Sequence, residues 1–134
     1  MKVLLDTDVI SALLRRDATT RLRQRLARVP LRSQCTSAIN LGELAYGARR
    51  AGRPQLFETV RELLIDVEVL PFDAAAADVY GKLRADLERR GRVLAEADLR
   101  IASIALSQEC TVVTGNVRHF SRIDGLVVEN WLVG

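Results

Sequence analysis

Cysteine is scarce in this sequence: Cys35 and Cys110 stand alone, without a CxxC pair or a Cys/His cluster. Two isolated thiols build neither a disulfide framework nor a thiolate metal site. They read as reduced core residues of a cytoplasmic protein, and any bound metal must be held by oxygen. Long apolar runs are missing as well. The opening run Val3–Leu5 is cut off by Asp6, and no later stretch approaches the ~18 consecutive apolar residues of a membrane span. This argues against secretion and against membrane insertion. Glycine and proline together number only 11, which excludes collagen-like and low-complexity chains. Lysine is confined to Lys2 and Lys82, and His119 is the only histidine.

What remains is a chain of 134 residues, 49% hydrophobic and 28% charged. That length suits one domain, residues 1–134, around one packed core. The net charge of +3 is unevenly spread: residues 15–53 hold ten arginines against Asp17 and Glu43, a net of +8, so the rest of the chain sums to −5. Such a block is either a solvated helical face or a phosphate-binding surface. Arginine supplies 18 of the 20 basic residues, and its planar fork matches phosphate better than lysine's point charge.

Periodicity gives an alternation of short strands and helices. Lys2–Leu5 reads as a strand, Asp6-Thr7-Asp8 as an acidic turn, and Val9–Leu14 as a helix. Thr20–Val29 is a basic amphipathic helix ended by Pro30, and Arg32–Cys35 a second strand. Ser37 is placed to cap a helix reaching about Ala51, and Pro54 to open a helix carrying Leu56, Val60, Leu63 and Leu64. Strands follow at Val67–Leu70, Thr111–Thr114 and Leu126–Val128, with helices from Asp73 to Arg90 and from Glu96 to Glu109. The pattern predicts an α/β fold with a mainly parallel, roughly five-stranded sheet.

In open parallel sheets ligands gather outside the carboxyl ends of the strands. Asp6 stands at the exit of the first strand, Asn116 just past Thr111–Thr114, and Asp98 in the first turn of the preceding helix. On the helix after Ser37, the residues Asn40, Glu43 and Gly47 share a face opposite Leu41, Leu44 and Ala48, a small polar face around one acid. Each residue also has an ordinary role: Asp6 as a helix cap, Asp98 as an acid favoured at a helix N-terminus, Glu43 as a solvated residue, Asn116 as a turn former. Their conjunction points further. Carboxylates converging at one sheet edge repel and raise each other's pKa unless a cation holds them, and an oxygen-only set suits Mg²⁺ or Mn²⁺.

Four stretches, LLDTDVIS at Leu4–Ser11, SAINLGELAYG at Ser37–Gly47, EADLRIASIAL at Glu96–Leu106 and VVTGNVRHF at Val112–Phe120, resemble in order and spacing the PIN-domain family, most closely its VapC-type toxin ribonucleases. The resemblance covers essentially the whole chain. It implies a three-layer α/β/α sandwich and metal-dependent hydrolysis of RNA, leaving 5′-phosphate and 3′-hydroxyl ends. Asp6, Glu43 and Asp98 map onto the metal-binding and catalytic acids, and Asn116 onto the fourth metal position, where many relatives carry Asp. Thr114 resembles the family's supporting hydroxyl. Arg49, Arg50 and His119 are candidate RNA contacts, while Asp8 and Glu96 read as turn and cap residues near enough to assist. A cognate antitoxin and a homodimer are further implications. The antitoxin would suit a groove beside the apolar helices Val9–Leu14 and Leu56–Leu64, unless both stripes enter the core.

Two other readings compete. LLDTDVI and VVTG also resemble haloacid-dehalogenase-like phosphatases, but those need a phosphate-clamping lysine, and both lysines precede Thr114. A non-catalytic RNA- or protein-binding module would be consistent with the neutral Asn116.

Overall fold

Strands and helices alternate along residues 1–15 and 20–133, which the computed structural model describes. Strand β1 (Lys2–Leu5) leads to helices α1 (Thr7–Leu14) and α2 (Thr20–Ala27). Strand β2 (Gln34–Ser37) is followed by α3 (Ala38–Arg50) and α4 (Leu56–Leu63), and β3 (Glu68–Leu70) by α5 (Ala74–Arg89) and α6 (Glu96–Ser107). Strand β4 (Cys110–Val113), helix α7 (Val117–Phe120) and β5 (Val128–Glu129) complete the order. Arg16 and Asp17, two members of the arginine-rich block, lie outside the described residues.

The five strands form one sheet in the order β3-β2-β1-β4-β5, with every neighbouring pair parallel. Because side chains alternate across a strand, β1 feeds two cores. Val3 and Leu5 join Val9, Ile10, Leu22, Leu44, Val60 and Trp131 on one face, under α1 to α4. Leu4 joins Ala76, Ile101, Ile104, Val112 and Phe120 on the other, under α5 to α7. The result is the expected three-layer α/β/α sandwich. Cys35 and Cys110 are free and buried, with their sulfurs 3.7 Å apart.

Local chemistry sets the boundaries. Asp6 caps α1 by accepting the Thr7 N–H at 2.8 Å, which starts that helix two residues before Val9. The Ser37 and Asp73 side chains cap α3 and α5 by accepting from the N–H groups of Asn40 and Ala76. The strand expected at Arg32–Cys35 begins at Gln34 instead: Pro30 leads into a 3₁₀ turn, Leu31–Ser33, and Gln34 Nε2 donates to the carbonyls of Leu26 and Val29. The last strand starts at Val128 rather than Leu126, because the turn through Gly125, at φ 84°, delays it while Leu126 packs into the second core. Helix α7 was not expected from periodicity.

Candidate active site

Strand order reverses at β1: its successors β2 and β3 lie to one side, β4 and β5 to the other. A crevice is expected outside the carboxyl ends of β1 and β4. Asp6 immediately follows β1 and Thr114 immediately follows β4. A cleft of about 390 Å³ opens there, lined by Asp6, Thr7, Asp8, Ser11, Arg15, Glu43, Asp98 and Asn116. The structure thus brings together Asp6, Glu43, Asp98 and Asn116 from the β1–α1 junction, α3, α6 and the β4–α7 loop. Four of the lining residues are acids and one, Arg15, is a cation.

Asp6 is buried, at 3% exposure, and tightly held. Its Oδ1 accepts from Thr7 N–H at 2.8 Å and from Asn40 Nδ2 at 2.9 Å, and its Oδ2 accepts the Thr114 hydroxyl at 2.7 Å. A carboxylate offers about four lone-pair sites, so roughly one remains for a ligand in the cleft. Thr114 Oγ1 in turn accepts the Asn116 N–H at 2.9 Å. Asn40 does not belong to an open polar face as the sequence suggested. It lies fully buried on the stripe with Leu44 and Ala48 and clamps Asp6, while the Ser37 hydroxyl donates to its Oδ1 at 2.6 Å. Sequence reasoning overlooked this role; the signal was the Ser37-x-x-Asn40 spacing, which sets both side chains at one helix start.

The remaining acids are less enclosed. Glu43 Oε1 accepts the Thr7 hydroxyl at 2.8 Å. Burial pushes the Glu43 carboxyl above the ordinary range, the Thr7 hydrogen bond opposes this, and the charges of Asp6 and Asp98 add to the rise. Asp98 is raised by burial and by Asp6, and is partly relieved by His119, whose Nδ1 lies 3.5 Å from Asp98 Oδ2. Asp8 is also raised, by burial and then by Asp6, while the Gly115 N–H donates to its Oδ2 at 2.9 Å.

His119 therefore meets Asp98 rather than lining the cleft itself. Arg49 and Arg50 are exposed on the last turn of α3, outside the lining. They stand about 9–10 Å along the helix axis from Glu43 at 1.5 Å per residue. Glu96 is not among the cleft lining and pairs with Tyr80, Arg84 and Arg100. Among the described residues no group of three or more His, Cys, Asp or Glu stands close enough together to hold a metal ion by itself; the acids border an open cleft. The donors are all oxygen, and they suit a hydrated divalent cation, since Mg²⁺ usually keeps several waters and takes one or two carboxylates.

A family model described as PIN domain matches residues 3–126. The chain belongs to the PIN-domain family. This PIN domain is 37% identical over 133 residues to the tRNA(fMet)-specific endonuclease VapC of Shigella flexneri, covering 98% of each chain. Its fold also matches chains of solved VapBC structures over nearly their whole length. The DNA-bound VapBC of Salmonella typhimurium superposes with a TM-score of 0.87 at 35% identity, covering 98% of both chains. VapBC-5 of Mycobacterium tuberculosis, of the VapBC family of toxin-antitoxin systems, gives 0.69 at 28%, again covering 98% of both.

Proposed function

We propose that this PIN domain is a toxin endoribonuclease that hydrolyses RNA phosphodiester bonds with Mg²⁺ or Mn²⁺ and is neutralised by a cognate antitoxin. We also propose, from the family resemblance, that it works as a homodimer in the cytoplasm. The observation that carries the reading is the convergence of Asp6, Glu43 and Asp98 from three separate helix starts and faces onto one cleft. The similarity to the VapC endonuclease and to VapBC supports the substrate class and the partner.

Asp6 and Asp98 would hold the cation, directly or through water, with Asn116 as a neutral oxygen donor at the fourth position. When bound, the cation polarises a phosphoryl oxygen and lowers the pKa of a coordinated water. Glu43, raised toward the range useful to a base and steadied by Thr7, would hold the metal or orient the attacking water. Thr114 fixes the Asp6 carboxylate. Arg49, Arg50 and His119 would contact the RNA.

Antitoxin binding has a suitable seat. A groove of about 420 Å³ runs between α1, α3 and α4, with Leu14, Leu44, Leu56 and Val60 among its lining, and it shares Thr7, Ser11, Arg15 and Glu43 with the acid cleft. The apolar stripes of α1 and α4 therefore divide: Val9 and Ile10 are buried in the core, Val60 is buried beneath the groove and lines it, and Leu14 and Leu56 border it. A partner helix seated there would obstruct the cleft.

The phosphatase alternative lacks its lysine: Lys2 pairs with Glu68 and Lys82 with Asp78, neither at the cleft. To test the proposal, purified protein is incubated with RNA in Mg²⁺, in Mn²⁺ and in chelator, and the product ends are mapped. Cleavage only with metal, leaving 5′-phosphates, is expected; metal-independent cleavage or none would reject it.

A further inference from the structure

Asp8 has no part in the reaction above, yet it joins two sides of the cleft. Its Oδ2 accepts the Gly115 N–H at 2.9 Å, linking the first turn of α1 to the β4–α7 loop across 107 positions of sequence. A Cβ on residue 115 would stand 2.7 Å from that oxygen and 3.0 Å from Leu132 Cδ1. Only glycine permits so close an approach. On either side of Gly115 are Thr114, hydrogen-bonded to Asp6, and Asn116, which lines the cleft. The other Asp8 oxygen, Oδ1, is buried without a hydrogen-bond partner. An unpaired buried oxygen costs stability, and local costs of this kind concentrate where geometry serves a site.

We propose that Asp8 is a positioning residue. By latching Gly115 to α1, it sets Thr114 against Asp6 and holds Asn116 at the cleft wall. The inference rests on the cation-binding reading of the cleft. Loss of the latch loosens the carboxylate that the cation needs, as with other groups that orient metal ligands.

The test is Mn²⁺ calorimetry with thermal midpoints on wild type, Asp8→Ala, Asp8→Asn, Gly115→Ala, the Asp8→Ala/Gly115→Ala double variant and Asp98→Asn. Asp8→Ala and Gly115→Ala should each weaken Mn²⁺ binding by about 10- to 100-fold. The double variant should be no weaker than either, because both changes open one latch. Asp8→Asn keeps an oxygen acceptor for the Gly115 N–H and should bind Mn²⁺ better than Asp8→Ala. Wild-type affinity in Asp8→Ala overturns the inference even if its midpoint falls, and so does an Asp8→Asn as weak as Asp8→Ala, which would show that only the charge matters. If Asp98→Asn loses Mn²⁺ while Asp8→Ala keeps it, only this inference fails. If wild type takes up no Mn²⁺, the cation-binding reading fails and takes the inference with it.

Discussion

Asp6 and Asp98 are both acids of the cleft, yet replacing them should have opposite effects on the metal-free fold. Asp6 accepts three hydrogen bonds, and an asparagine there would turn an amide toward the Asn40 or the Thr114 donor. That leaves a buried donor unpaired, a loss of about 1–3 kcal/mol. Asp98 accepts no such set, and its carboxyl is raised by burial and by Asp6. An acid whose folded pKa is raised contributes its stability below the ordinary carboxylate pKa and loses it as pH climbs through the raised value. Asp98→Asn should therefore melt above wild type in chelator at neutral pH, with the gap shrinking toward about pH 4. A gap constant with pH would contradict this. At the fourth position, Asn116→Asp adds charge to an oxygen site and should tighten Mn²⁺ binding by calorimetry; unchanged affinity would place residue 116 outside the ligand set. Asp6 and Asp98 were legible in the sequence because strand exits and helix starts are where a parallel sheet gathers its chemistry. Asn40 was not, because a buried polar residue on a helix looks the same in sequence as an exposed one, and only the fold shows that it meets Asp6.

The arginine-rich elements separate in the structure. Arg25 on α2 pairs with Glu129 at 2.7 Å and lies 4.9 Å above the Trp131 ring, so it ties α2 to the end of the sheet. Arg49 and Arg50 are exposed at the end of α3. If they meet RNA, replacing both with Gln should flatten the salt dependence of binding by about 0.7 per lost phosphate contact without lowering the thermal midpoint. Binding across a salt series checks it, and an unchanged slope would leave them as solvated surface. Helix α7 presents a different dependence. Phe120 is fully buried in the second core beside His119, and Phe120→Ala should cost about 3–5 kcal/mol, read by denaturant unfolding. The longer helices were readable from apolar spacing and caps. The four-residue α7 is too short to show a period, and the two-residue β5 was legible as a strand but not in its start; tertiary contacts set both.

At the scale of the molecule, the parallel sheet and its layers followed from alternating strand and helix patterns, whereas the strand order did not. The order decides function, because placing β4 beside β1 brings Thr114 and Asp6 within 2.7 Å although 108 positions separate them. It also sets the acid cleft against the apolar groove, so catalysis and its inhibition would share one wall. Under the proposed function this cleft cleaves RNA through a cation held by its acids. The most direct test is the rate of RNA cleavage against Mg²⁺ concentration, for wild type and for Asp98→Asn shown to be folded. Wild type should show saturable metal dependence, and the variant should lose cleavage at every concentration. Cleavage by Asp98→Asn at the wild-type rate would contradict the proposed function.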